Sequence, residues 1–163
     1  MTAPAIFQKL ALYNRWMNEK FYATAAEMTD EDRKSDKGAF FGSLHRTLNH
    51  ILWADYAWLN RLADCSHDLP GIGTPLFDDF NDLHSARTEA DAFIISWANE
   101  ITEDWLKSEI EWTAGADKVT RRQPRWLLVT HMFNHQTHHR GQVTTLLSQA
   151  GLDVGVTDLP RMD

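Results

Sequence analysis

A chain of 163 residues and 18.8 kDa is long enough to bury roughly two-thirds of its unfolded surface around one core. Its hydrophobic fraction of 43% and charged fraction of 24% exclude a disordered chain, and no stretch approaches the run of about 18 apolar residues that a membrane span needs. A net charge of −7 repels a phosphate backbone, and positive charge gathers only at Arg121, Arg122 and Arg125, so no nucleic-acid partner is expected.

The opening residues MTAPAIFQKLALYNRW set a lysine and an arginine inside their apolar pattern and lack the continuous apolar run of a signal peptide. The single cysteine, Cys65, closes no internal disulfide, so nothing points to an oxidising compartment. A cytoplasmic protein is the expectation.

Four segments carry helical periodicity, and the Pro and Gly residues fall between them. The first is predicted over 4–28, where Ile6, Leu10, Met17, Phe21 and Met28 form one apolar stripe that also holds Asn14. After the polar link TDEDRKSDKG, the second runs over 40–63 with Phe40, Leu44, Leu48, Ile51, Trp58 and Leu62 inward. The third, over 79–107, repeats Leu83, Ala90, Phe93, Ile94, Trp97, Ile101 and Trp105. SEIEWTAGADKVT then reads as two short extended runs around Ala114-Gly115, a small hairpin or crossover. Pro124 suits the first turn of the fourth helix and Gly151 the position just past its end. The expectation is a single all-α domain over 1–163, a four-helix bundle with long connections.

Eight histidines stand out, four of them between His131 and His139. On a helical wheel Leu128, Met132, Val143, Leu146 and Ala150 make one apolar face of the fourth helix, and His135 and His139 fall on it. Four residues apart, they stack with both imidazoles projecting the same way. Two readings are open: core histidines hydrogen-bonded to neighbours, or a pair that shares a divalent cation. His131 and His138 lie on the flank of that face, His138 within reach of a supporting role. A third ligand is available on the second helix, where His50 borders the small residues Ser43, Thr47, Ala54 and Ala57; that stripe equally suits two backbones in close approach. His45 points the other way, toward the surface. His67 and His84 read as ordinary loop or surface residues.

The residues exclude two metal chemistries. His135-Gln136-Thr137-His138-His139 lacks the glutamate that follows the first histidine of a zincin. No Glu-x-x-His pairs occur for a di-iron bundle. A mononuclear three-histidine site fits, for zinc, nickel, iron or manganese.

Tyr13-Asn14-Arg15-Trp16-Met17-Asn18, the stretch Gly38-Ala39-Phe40-Phe41-Gly42-Ser43 leading into Leu48-Asn49-His50-Ile51-Leu52-Trp53-Ala54-Asp55, and Phe133-Asn134-His135-Gln136-Thr137-His138-His139-Arg140-Gly141-Gln142 together resemble the DinB-like family, also described as DinB/YfiT metalloenzymes. Thr157-Asp158-Leu159-Pro160 resembles its C-terminal segment. The resemblance covers almost the whole chain and implies a four-helix bundle in which one histidine of the second helix and an H-x-x-x-H pair of the last bind a divalent metal. Those positions are His50, His135 and His139. It also implies the company of bundles that act as thiol-dependent S-transferases or isomerases with low-molecular-weight thiols.

A metal on neutral histidines, zinc or nickel first among the candidates, lowers the pKa of a bound thiol or water. The expected function is therefore a metal-dependent transferase or hydrolase acting on a small molecule; the alternative is a non-catalytic stress-response or interaction bundle with a structural metal. Gln142 and Asn14 are candidates for substrate contacts or for core hydrogen bonds. Arg140 points away from the histidine pair, toward the surface or a subunit contact, and Asp55 has no assigned role. Trp53, Tyr56 and Phe133 fall outside the inward stripes, which suggests a homodimer. If thiol chemistry occurs, the thiol comes from a cofactor, since Cys65 is remote from the ligands in sequence and helical phase.

Overall fold

The computed structural model describes residues 2–114 and 118–162. Helix α1 spans Ala3–Ala26, a short α2 spans Asp30–Lys34, α3 spans Leu44–Leu62, α4 spans Phe80–Glu100, a short α5 spans Glu103–Lys107 and α6 spans Arg125–Gln149. Strands β1 (Glu109–Thr113) and β2 (Thr120–Pro124) form an antiparallel hairpin with Glu109 opposite Pro124 and Thr113 opposite Thr120. A 3-10 turn, Leu159–Arg161, lies near the C-terminus. The architecture is the predicted helical bundle with the predicted hairpin between its third and fourth long helices; Gly115, expected at the hairpin's centre, lies outside the described residues.

The long helices close a ring, with α1 packed on α4 and α6, and α3 packed on α6 and α4. Each therefore buries two flanks rather than one narrow stripe. That geometry explains several departures from the wheels. On α1 the buried positions are Phe7, Ala11, Asn14, Met17, Asn18, Phe21, Tyr22, Thr24 and Ala25, while Ile6 is exposed. Phe133 stacks on Phe7 at 6.1 Å between centroids, and Arg140 is buried against α1, so neither lies on the surface. Phe93 and Ala150 are exposed.

Local chemistry sets the boundaries that periodicity misplaced. The second long helix starts at Leu44 rather than at 40, because Gly38 and Gly42 adopt φ of +66° and +81° and close a tight turn in which the Gly42 N–H donates to the Ala39 carbonyl. Phe40 thereby points outward, 83% exposed. Ser43 then caps the helix by accepting from the Arg46 backbone N–H. The third predicted helix is two: Ile101 is extended, and the hydroxyl of Thr102 accepts from Trp105 N–H to begin α5. Pro124 precedes α6 as its N-cap, and Gly151 follows it at φ +80°.

Two apolar clusters fill the bundle, one around Phe21, Leu48, Leu83 and Leu147, the other around Phe7, Leu59, Ile94 and Met132. Between them, halfway along all four long helices, lies a buried polar layer. Asp55 accepts from Arg87 and from Gln136, the latter at 2.8 Å. Arg87 also pairs with Asp91 at 2.9 Å, and Asp91 accepts from Asn14 at 2.9 Å and from Asn18 at 3.0 Å. Arg140 completes the layer by donating to Asn14 and to Thr137. Two carboxylates and two guanidiniums make the layer electrically balanced, which is what permits charge at this depth. Asn14 thus serves core hydrogen bonding, and Asp55 acquires a place as the acceptor that ties α3 to α4 and α6.

The aromatic groups that suggested a dimer are engaged within the chain. Besides Phe133, Trp53 donates to the Pro70 carbonyl at 2.9 Å and Tyr56 stacks on His67 at 4.0 Å between centroids. Among the described residues, no helix is long and apolar enough to cross a membrane.

Candidate metal centre

His50 projects from α3 and His135 and His139 from successive turns of α6, across the face where those helices pack. The structure brings together the three residues selected from the sequence. His135 Nε2 lies 3.3 Å from His50 Nε2 and 3.0 Å from His139 Nε2, and the three ligand atoms fall within 4.8 Å of one another. Two nitrogens on a tetrahedral ion at about 2.0 Å stand roughly 3.3 Å apart, so the spacing suits a single transition-metal ion.

Hydrogen bonding sharpens that fit. His139 Nδ1–H donates to Gln142 Oε1 at 2.8 Å, so the neutral ring turns the lone pair of Nε2 toward its neighbours. His135 Nε2 cannot then satisfy both contacts. With a proton it serves one neighbour; without one it faces the bare Nε2 of His139. A shared cation removes the conflict by accepting all three lone pairs. His135 Nδ1 is buried and makes no hydrogen bond among the described residues.

The rings are poised as neutral ligands. Burial, reinforced by the surrounding imidazoles, pulls His135 down to about 3; burial and His139 pull His50 down to about 4. His139 is lowered too, chiefly by burial, with the Gln142 bond opposing. Among the described residues, no Asp or Glu joins the three histidines as a candidate ligand. A divalent ion here would keep its charge uncompensated by the protein, which favours an acidic, electrophilic metal.

Phe41, placed by the Gly38–Gly42 turn, stacks on His50 at 4.0 Å between centroids and faces His139 at 5.3 Å. This ring screens one side of the triad from water. Beside it opens a cavity of about 490 Å³, within the size range of small-molecule sites. His50 and Trp53 line it, together with Phe41 and the loop residues Gly73, Thr74 and Pro75. Asn49 holds that loop in place: its amide donates to the Phe77 carbonyl, and Phe77 N–H donates to its Oδ1 at 2.9 Å.

The other histidines separate clearly. His138 is exposed, 4.8 Å from the His139 ring between centroids, and His131 lies 5.9 Å from His135 and packs on Trp58. Neither belongs to the ligand group. His45 is buried rather than on the surface, because its Nε2 bonds the Phe77 carbonyl at 2.9 Å. His84 stacks on Tyr22. Sequence reasoning missed Phe41, whose role depends on the turn before the helix, and Arg46, one turn ahead of His50 and also in the cavity wall.

Comparison with known proteins gives a consistent family assignment. The chain is 24% identical over 159 residues to Protein DinB of Bacillus subtilis (strain 168), covering 92% of this chain and 89% of that protein. It is 27% identical over 131 residues to the uncharacterized protein YrdA of the same organism, covering 78% and 72% respectively. A crystal structure of a DinB-like protein from Bacillus cereus ATCC 10987 superposes with a TM-score of 0.63 at 24% identity, covering 86% of this chain and 89% of that one, which bears on the fold alone. The DinB family model matches residues 1–163, and the chain belongs to the DinB family.

Proposed function

We propose that His50, His135 and His139 bind one divalent transition metal, zinc or nickel in the first instance, and that the chain is a metal-dependent enzyme of the thiol-dependent transferase or hydrolase type. The observation that carries this reading is the cavity that reaches His50, the member of the half-buried triad that lines it. A metal that only clamped α3 to α6 would need no such opening.

When bound, the ion supplies Lewis acidity, lowering the pKa of a thiol or water. The chain's residues do the rest. Gln142 keeps His139 in the tautomer that presents Nε2, Phe41 and Trp53 form the apolar walls against which a substrate rests, and Asn49 maintains the opposite wall. A thiol nucleophile comes from outside: burial, with Asp64 beside it, raises the Cys65 pKa and makes it a poor thiolate source.

The test is elemental analysis followed by turnover. The purified protein should carry one equivalent of metal, and incubation with low-molecular-weight thiols and small electrophiles should give turnover that is lost in His50→Ala and His139→Ala. Turnover unaffected by these substitutions would sink the reading. Chelation that lowers the melting temperature of a protein inactive toward the whole panel would instead leave the metal as a clamp between α3 and α6.

A further inference from the structure

We infer that the cavity beside His50 selects a small amphipathic oxyanion, and that Arg46 is the residue that reads its charge. Positions 46, 50 and 53 share one face of α3, so the cavity meets a guanidinium, an imidazole and an indole in series over about 10 Å. Arg46 is exposed, and its guanidinium makes no hydrogen bond or ion pair among the described residues. Asp36 is the one acid among the described residues of the wall; its Oδ1 accepts from the Gly38 N–H of its own loop at 2.8 Å, and it makes no ion pair with Arg46. An arginine left without a partner in a concave wall presents donors in a rigid fork, always charged and matched to a carboxylate or phosphate edge.

The rest of the wall describes the other end of the ligand. Phe41 and Trp53 offer aromatic faces, Phe40 stands 83% exposed in the lining, and Ile72, next to the lining residue Gly73, is 63% exposed. Large apolar side chains held in water at the mouth of a cavity suit a ligand whose body is apolar. A molecule with an aromatic or short aliphatic body ending in an oxyanion satisfies both ends. This inference rests on the proposed function only in taking the cavity as the substrate's; Arg46 acts as a specificity-determining residue whether or not the metal is loaded.

Binding tests it without turnover. The indole N–H resonance of Trp53, assigned with Trp53→Phe, is followed while phenylacetate, phenyl phosphate and the uncharged phenylacetamide are titrated into metal-loaded and into chelated protein at constant ionic strength. At least one anion should bind about tenfold or more tightly than the amide in both forms, as expected for a charge-assisted pair. In the chelated protein Arg46→Gln should erase that preference, and in the loaded protein metal content and melting temperature should stay at wild-type values. Preference for phenylacetate alone identifies a carboxylate and preference for phenyl phosphate alone a phosphate, each within the inference. Absence of saturable anion binding, equal affinity for acid and amide, or a preference that survives Arg46→Gln in the chelated protein overturns it. Failure of the metal reading shows separately, as missing metal stoichiometry with the Arg46-dependent preference intact in the chelated protein.

Discussion

Gln142 Oε1 sits 2.8 Å from His139 Nδ1, one turn further along α6. This contact decides which nitrogen of His139 is free, and it does so from the same helix, so the orientation is set as soon as the helix forms. Partners of this kind tune ligand basicity as well as ring position. Gln142→Ala should weaken metal binding about tenfold, while Gln142→Glu, a stronger acceptor, should preserve or tighten it. Competition with a chromophoric chelator measures both, and an affinity unchanged by the alanine variant would remove Gln142 from the site's design.

The polar layer makes a sharper demand on stability. Removing Asp55 leaves the Arg87 guanidinium buried with one carboxylate where it had two, and deprives Gln136 of its acceptor. Burial works against the charge of Arg87, yet Asp91 and Asp55 hold its pKa above the ordinary value. Asp55→Ala is expected to lower the free energy of unfolding by about 3–5 kcal/mol. Urea denaturation reads this directly, and a loss below about 1 kcal/mol would mean that the layer contributes little.

Acid should destabilise the metal-free protein in a defined window. The folded values of about 3 for His135 and about 4 for His50 lie below the ordinary 6.5. The unfolded chain therefore takes up protons that the folded rings do not. The stability associated with the neutral rings is fully present above pH 6.5 and declines as pH falls through the folded values. The urea midpoint of chelated protein should drop steadily from pH 6.5 to pH 4, and His135→Gln should flatten the slope. A midpoint that rises on acidification, or one equally steep in the variant, contradicts this assignment.

Asn49 offers a local test of the cavity wall. Its side chain makes three hydrogen bonds, to the His45 carbonyl and to both backbone groups of Phe77. Asn49→Ala leaves the Phe77 N–H unsatisfied and should cost about 1–3 kcal/mol. Limited proteolysis should cut between residues 63 and 79 faster in this variant than in wild type; equal cleavage rates would show that other contacts suffice to hold the loop.

The grouping of the three histidines was legible in the sequence because its information is local. Two histidines four apart on an apolar face must stack, whatever surrounds the helix, and His50 was marked by the small residues beside it. The four long helices were legible for the same reason, since apolar recurrence and the placement of Pro and Gly depend only on neighbours along the chain. The two extended runs between Glu109 and Pro124 were legible too, while their pairing as a hairpin rather than a crossover came from the structure.

Burial of polar residues depended on the assembled bundle. Arg140 pointed away from the histidines, as the wheel required, but that direction meets α1 because each helix in a closed ring has two inward flanks. His45 likewise turned from the core stripe only to meet the Phe77 carbonyl, a partner supplied 32 residues away by the loop. Helical phase belongs to the sequence by itself, being fixed by a 3.6-residue period. What a given phase faces is a property of the tertiary structure alone: it determined that Asp55, Arg87, Asp91 and Arg140 would neutralise one another in the interior, and that Phe41, Arg46 and Trp53 would surround an opening beside His50.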